Sequence, residues 1–130
     1  MPDRSSLPCP CGRDATYAEC CGALHEGRAT ASTAEQLMRS RYSAFVTRNG
    51  DYLYRTWSTK TRPPRVDFAT DMRYTGLEIL STTDGSPFHT EGTVEFRAHY
   101  TLTGHPHTHH EHSTFARENG EWVYVTALPD

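Results

Sequence analysis

All four cysteines of this 130-residue chain lie in one short stretch, CPCGRDATYAECC at residues 9–21. The stretch has too few apolar residues to make a core, and a disulfide network here would be cramped, because adjacent cysteines rarely bridge each other. Zinc suits four thiolates in a tetrahedral array, and metal binding can replace the missing core as the source of folding energy. The pattern therefore predicts a structural zinc site with His25 as a reserve ligand. Its ligands would be Cys9, Cys11, Cys20 and Cys21.

The composition is that of an ordinary globular protein, with 22% charged residues and a net charge of −3. There is no basic excess, so we expect no nucleic-acid partner. No apolar run resembles a signal peptide or a membrane span, so we expect a cytoplasmic protein without membrane contact. In such a reducing compartment, clustered cysteines bind metal more often than they form disulfides. The length fits one domain over residues 28–130, preceded by a small zinc-binding segment over residues 1–27.

Helices are predicted in the first half of the chain. Ser32 and Glu35 have the spacing of a capping box, and the apolar residues that follow recur at the spacing of one helical face. The dipeptide Asn49-Gly50 is expected to end this helix. Shorter helices are predicted over residues 51–57 and 66–72.

From about residue 75 the hydrophobic period changes to two, which indicates strands. Asn119-Gly120 predicts a tight hairpin with Phe115 opposite Tyr124. If the preceding loop is residues 104–107, Phe96 faces Phe115 and Tyr100 faces Glu111. Helices followed by antiparallel strands predict an α+β domain with helices packed on one sheet face. That face would collect Val94, Phe96, Ala98, Tyr100, Phe115, Trp122 and Tyr124.

The cysteine pattern CPCG…Y..CC resembles the SEC-C motif, a small zinc-binding element best known at the C-terminus of the SecA preprotein translocase ATPase. The resemblance places the zinc ligands at the same four cysteines. Many SEC-C motifs carry a basic loop between the cysteine pairs. Here RDATYA at residues 13–18 keeps Tyr17 and lacks the lysines.

Most of the remaining chain resembles the uncharacterised YchJ-type family. The resemblance implies a SEC-C element followed by a nuclear transport factor 2-like domain, in which a curved antiparallel sheet wraps around helices to form a cone with a pocket. It implies no established activity, and this fold often forms a homodimer through the outer sheet face. The segments that carry it are TAEQLMRSRYSAFV at 33–46, DYLYRTW at 51–57, VEFRAHY at 94–100, HEHSTF at 110–115 and WVYV at 122–125.

Candidate pocket residues follow from the aromatic face. Glu111 and Arg41 facing one apolar cavity could bind a polar ligand, or Glu111 could act as a base with a raised pKa. The alternative is a buried structural pair of Arg41 and Glu111 capped by tyrosine hydroxyls. The remaining pocket candidates are Tyr42, Trp57, Arg62, Tyr100, Ser113 and Phe115.

The segment HPHTHHEH at residues 105–112 suggests a second metal site. Strand alternation puts His107 and His109 on one face and His110 and His112 on the other, so the four cannot converge on one ion. A pair two residues apart could still join His99 or a partner chain at a metal, but solvated histidines are the favoured interpretation.

Taken together, the sequence predicts a zinc-binding protein that binds a protein or a small ligand. The first alternative is a small enzyme of lyase, isomerase or hydrolase type that uses Glu111, Arg41 and Tyr42. The second is a redox or metal-storage role for the cysteines.

Overall fold

The computed structural model describes residues 4–129, in which a short 3-10 turn at Arg4–Ser6 and three helices precede four strands. The strands form one antiparallel sheet in the order of the sequence, which confirms the expected α+β class. In this part of the chain no helix has the length and apolar character needed to cross a membrane. The helices and strands are Cys21–His25 (α1), Ala34–Thr47 (α2), Gly50–Arg55 (α3), Met72–Asp84 (β1), Glu91–Leu102 (β2), His105–Glu118 (β3) and Glu121–Ala127 (β4).

The start of α2 is capped one residue later than predicted. The Thr33 hydroxyl accepts the N–H of Gln36 at 3.0 Å, and the Gln36 side chain accepts the N–H of Ser32 at 2.8 Å. The predicted Ser32–Glu35 box is therefore wrong. Glu35 instead accepts the Nε–H of Arg39 at 2.9 Å, one helical turn further on.

The boundary between α2 and α3 also differs from the prediction. Arg48 takes the left-handed conformation, with φ 57°, and ends α2. Asn49 then caps α3, because its side chain accepts the N–H of Tyr52 at 3.1 Å. Asn49-Gly50 thus begins α3 rather than ending α2.

The helix predicted over residues 66–72 is wrong. The chain there is irregular up to Met72, where β1 begins. Val66 and Phe68 pack instead against a small buried cluster around α3, and the Phe68 ring lies edge-on to Phe45. The apolar residues of this segment therefore pack individually against the core, and they do not form one face of a helix.

The turn between β2 and β3 is shorter than predicted. Thr103 and Gly104 both have positive φ, 51° and 81°, and form a two-residue hairpin loop. Phe96 consequently pairs with Glu111 rather than with Phe115. The pairing changes by four residues, and because side chains alternate with a period of two, each side chain keeps its predicted face.

The hairpin between β3 and β4 is as predicted. Asn119 and Gly120 have φ of 54° and 81°, and Phe115 pairs with Tyr124. A bulge after Thr114 shifts the register by one residue beyond this pair and places Ser113 opposite Ala127.

The free edge of β4 is covered by the connector that follows α3. Tyr124 donates its N–H to the carbonyl of Thr56 at 2.8 Å and accepts the N–H of Ser58 at 2.7 Å. This short parallel pairing fixes Trp57 beside Tyr124. The connector therefore protects an edge and delivers an indole to the inner face of the sheet.

The inner face of the sheet packs against α2, and the cysteine segment joins the same core. We call residues 9–25 the knuckle. Three knuckle cysteines are buried in one cluster with α2 and the sheet, so the knuckle packs onto the domain instead of projecting from it. The buried members are Cys9, Cys11, Cys21, Ala34, Leu37, Met38, Tyr42, Val94, Phe96, Ala98, Phe115 and Trp122.

The outer face of the sheet is polar. The imidazole of His99 lies 2.5 Å from the Glu78 carboxylate, and that of His110 lies 2.7 Å from Glu95. The homodimer expected from the resemblance would use this face, and it stays a prediction.

Candidate metal centre and cavity

The four cysteine sulfurs converge on one point. All four Sγ atoms lie within 4.8 Å of one another, with 3.7 Å between Cys11 and Cys20 and 4.0 Å between Cys20 and Cys21. Tetrahedral zinc with Zn–S bonds near 2.3 Å requires sulfurs about 3.8 Å apart. None of the four is in a disulfide. The donor set therefore fits a metal ion held by four thiolates.

Local backbone structure brings the two cysteine pairs together. Cys9 and Gly12 close a tight turn, with the Gly12 N–H on the Cys9 carbonyl at 3.2 Å and a φ of 89° at Gly12. Tyr17 accepts the N–H of Cys20 at 3.1 Å and that of Gly22 at 2.7 Å. A Cβ atom at Gly22 would lie 2.6 Å from the Tyr17 carbonyl oxygen. The turn that presents the second cysteine pair therefore requires a glycine here.

The thiols do not ionise independently. Hydrogen bonds from neighbouring thiols lower the pKa of Cys9, whereas burial and the charge of Cys11 raise the pKa of Cys20 to about 11. The pKa of Cys21 is also raised, by its hydrogen bonds to Cys11 and Cys9 and by burial. The cluster thus resists carrying four negative charges unless a cation compensates them.

His25 joins the knuckle to α2. The Nε2–H of His25 donates to the Ser40 carbonyl at 2.8 Å, and Nδ1 accepts the Tyr17 hydroxyl at 2.6 Å. The side chain is buried, which lowers the pKa of His25 and keeps the ring neutral. Both ring nitrogens have protein partners and all four cysteines converge. The expectation of His25 as a reserve ligand is therefore corrected.

Two arginines also hold the knuckle against the domain. Arg39 donates to the Cys11 carbonyl at 2.9 Å. Arg55 donates to the carbonyls of Leu24 and His25 at 3.1 and 3.0 Å. Both arginines therefore bind the backbone of the knuckle and hold it against the helices of the domain.

A cavity of about 230 Å³ lies between α2 and the inner face of the sheet. Five of the candidate residues line it: Arg41, Tyr42, Trp57, Glu111 and Ser113. The other lining residues are Met38, Phe45, Tyr74, Phe96, Ala98, His109 and Tyr124.

Three other candidates lie outside this cavity. Phe115 is fully buried behind Tyr124, with ring centres 5.8 Å apart. Tyr100 stacks on His107 instead, because the shorter turn moved that histidine opposite it. Arg62 lies over the ring of Tyr54.

Glu111 is held by three donors. Ser113 Oγ donates to it at 2.5 Å, the Tyr124 hydroxyl donates at 2.9 Å, and His109 Nε2 lies 2.9 Å away. Burial alone would raise the pKa of Glu111, but these hydrogen bonds together lower it. The raised pKa expected for a general base is therefore wrong, and Glu111 is an ionised carboxylate at neutral pH.

Arg41 does not pair with Glu111. Its side chain is 4% exposed, and its Nη1 donates to the Leu53 carbonyl and to the Thr56 hydroxyl, both at 2.9 Å. Its guanidinium carbon lies 5.0 Å from the centre of the Trp57 ring and 4.8 Å from that of Tyr124. Burial lowers the pKa of Arg41 to about 10, which leaves it charged at neutral pH.

Arg41 and Glu111 therefore do not form the direct pair expected as the structural alternative. Tyr124 lies between them and contacts both. The ring of this tyrosine contacts the guanidinium, and its hydroxyl donates to the carboxylate. No salt bridge within residues 4–129 involves Arg41.

The strand of histidines alternates as predicted. His109 faces the cavity and contacts Glu111, while His110 contacts Glu95 on the outer face. Within the described chain these histidines join no group of three metal-ligating side chains. The sequence reasoning missed His109 as a cavity residue, although its spacing of two residues from Glu111 puts both on one face.

The fold and the site define a class: a nuclear transport factor 2-like α+β domain with a four-cysteine knuckle packed on it. Comparison with known protein families supports this class. The family "YchJ, middle NTF2-like domain" matches residues 33–127, and the SEC-C motif matches residues 6–23. The chain therefore belongs to the YchJ family, and the resemblance inferred from its segments is confirmed.

Similar proteins include UPF0225 proteins from Streptomyces coelicolor and Corynebacterium glutamicum. The first is 57% identical over 118 residues, which cover 91% of this chain and 92% of that protein. The second is 46% identical over 122 residues, covering 94% of this chain and 97% of that protein.

Two solved structures of SEC-C motif containing proteins are also similar. The solution structure from Rhodopseudomonas palustris has a TM-score of 0.81 at 30% identity and covers 94% of this chain and 98% of that chain. The crystal structure from Psychrobacter arcticus has a TM-score of 0.78 at 28% identity, covering 98% and 86%.

Proposed function

We propose that this protein is a small-ligand-binding module held together by a structural zinc ion. The observation that carries the zinc proposal is the convergence of four free thiols within 4.8 Å of one another. A site with four thiolate ligands leaves no open position for a substrate. Bound there, zinc would supply charge and cross-linking to the knuckle, and the residues around it would supply no chemistry of their own. A cytoplasmic location is part of the proposal, because the thiols have to stay reduced to bind the ion.

The ligand-binding part of the proposal is supported by the lining of the cavity. Its walls are mainly aromatic, with a few polar groups from different elements, which is typical of small-molecule sites. Binding is favoured over catalysis because Glu111 already accepts from three protein donors and its pKa is lowered. A general base in an enzyme of the alternative class needs the opposite shift.

Metal analysis tests the zinc proposal. Protein purified with a reductant is expected to contain one zinc ion per chain, and Cys11→Ser is expected to lose it. His25→Gln is the matched control: it is expected to retain zinc, because His25 contacts Tyr17 and Ser40 rather than the thiol group. Reduced protein that contains no zinc and binds none when zinc is added would contradict the proposal.

A further inference from the structure

We infer that the cavity binds a small organic carboxylate, with the carboxylate on Arg41 and the body of the ligand against the aromatic wall. The inference rests on the proposed ligand-binding function, because it names the chemistry of the ligand for the same cavity. Three observations carry it: the free donors of Arg41, the absence of a salt bridge to its guanidinium, and the occupied acceptors of Glu111.

The guanidinium of Arg41 has donors to spare. An arginine carries five N–H groups in a planar fork. In the described chain only Nη1 of Arg41 donates to protein acceptors, on Leu53 and Thr56. Arg41 lines the cavity, so the N–H groups of Nε and Nη2 are available to an acceptor bound there. Two adjacent oxygens of a carboxylate match this fork.

The guanidinium of Arg41 forms no salt bridge, although the charge of Glu111 on the same cavity wall acts on it through space. The side chain is almost fully buried, and within residues 4–129 no carboxylate lies within salt-bridge distance of it. The rings of Trp57 and Tyr124 compensate only part of the cost of burying a cation. An anion in the cavity would complete the pairing.

Glu111 does not offer a comparable binding site for a positively charged ligand. Its two oxygens already face Ser113, Tyr124 and His109. A ligand amine would therefore find most of the acceptor positions of the carboxylate taken. The free N–H groups of Arg41 have no acceptor in the cavity, whereas most acceptor positions of Glu111 are already occupied. This difference favours an acid over an amine as the ligand.

The rest of the cavity sets the size and polarity of the ligand. A volume of 230 Å³ corresponds to about eight water molecules and is smaller than a drug-sized pocket. Phe45, Tyr74 and Phe96 form apolar wall. A small aromatic acid fits both constraints, whereas inorganic phosphate would leave the apolar wall unused.

The test compares an acid with its neutral analogue on the zinc-loaded full chain. Benzoate, benzamide and inorganic phosphate are titrated separately and followed by heteronuclear NMR, with the Nε–H signal of Arg41 as a direct reporter. Benzoate is expected to bind at least tenfold more tightly than benzamide or phosphate. Arg41→Gln is expected to remove this preference. Arg62→Gln, a matched control outside the cavity, is expected to keep it.

The outcomes separate the inference from the proposed function. Equal binding of benzoate and benzamide would overturn the carboxylate inference and leave a ligand-binding cavity in place. Binding of phosphate as tight as that of benzoate would overturn it as well. If neither aromatic probe shifts any cavity signal, the ligand-binding function falls together with the inference. If Arg41→Gln does not fold, the comparison of benzoate with benzamide on the unchanged protein still decides.

Discussion

Removing the metal from the knuckle is expected to destabilise the whole domain. The knuckle cysteines belong to the same buried cluster as α2 and the sheet. Three knuckle–domain contacts depend on its shape: Arg39 on the Cys11 carbonyl, His25 on the Ser40 carbonyl, and Arg55 on the Leu24 carbonyl. A knuckle that opens without its ion would release all three contacts at once.

The size of the effect follows from these contacts. At about 1 kcal/mol for each hydrogen-bonding side chain, their loss costs about 3 kcal/mol, before any exposure of the buried cysteines is counted. Domains of this size are stable by only about 5–15 kcal/mol. For a chain of this length the loss corresponds to a fall in Tm of roughly 10 °C.

Thermal unfolding followed by far-ultraviolet circular dichroism and by tryptophan fluorescence measures this fall. The metal-free protein and Cys11→Ser are each compared with the zinc-loaded protein in a reducing buffer. The chelator is expected to change nothing further in Cys11→Ser. Arg39→Met is expected to reproduce part of the loss, and Glu35→Gln, which removes only the exposed ion pair of Arg39, is expected to reproduce little of it.

A metal-free protein whose domain melts within about 2 °C of the zinc-loaded form would contradict this coupling, since the fall in Tm expected from the lost contacts is several times larger. A separate early transition of the knuckle, followed by an unchanged main transition, would lead to the same conclusion. In either case the knuckle would be an independent unit, and its contacts with α2 would contribute little stability.

Three further predictions test the fold and the cavity. Gly92→Ala is expected to cost about 2–3 kcal/mol in urea unfolding, because its Cβ would lie 2.5 Å from backbone, whereas Gly76→Ala meets only an ordinary 3.8 Å contact and should be tolerated. Thr33→Ala is expected to cost about 1 kcal/mol in the same assay and Ser32→Ala clearly less, and equal costs would argue against Thr33 as the cap. The lowered pKa of Glu111 stabilises the fold above about pH 4.5, and this contribution is lost as the pH falls below that value. The stability difference between the unchanged protein and Glu111→Gln is therefore expected to stay constant above about pH 4.5 and to shrink as the pH falls further, and a difference that does not shrink at lower pH would contradict the hydrogen-bond network of Glu111.

The sheet illustrates how an error in the sequence reasoning can leave the main conclusion intact. The loop before β3 was predicted at residues 104–107 but lies at Thr103-Gly104. The sequence does not indicate this position, because threonine rarely takes a positive φ. The change is even, so the aromatic face is as predicted while every predicted partner between β2 and β3 changed. Hydrophobic alternation thus specifies the face of a strand far better than its register.

The contacts inside the cavity cannot be predicted from hydrophobic periodicity alone. Helical and strand periodicity predict that Arg41 and Glu111 face one cavity, and the structure places both there. Whether the two charges touch depends on side chains from a third and a fourth element. Tyr124 on β4 separates them, and Leu53 in α3 accepts from Arg41. No local pattern encodes such a tertiary arrangement, so the unpaired arginine is visible only in the structure.

The position of α2 connects the two sites physically. On one side of this helix Ser40 accepts from the knuckle, and Ser43 lies 3.7 Å from the Cys9 sulfur. On the neighbouring side Arg41 lines the cavity, one residue further along the same helix. A helix held by continuous backbone hydrogen bonds moves as a rigid unit, so a shift at the Ser40 face is also a shift of the guanidinium. Under the proposed function, the four thiols would therefore need no contact with a ligand to affect its binding, because the position of α2 also sets the position of the Arg41 guanidinium.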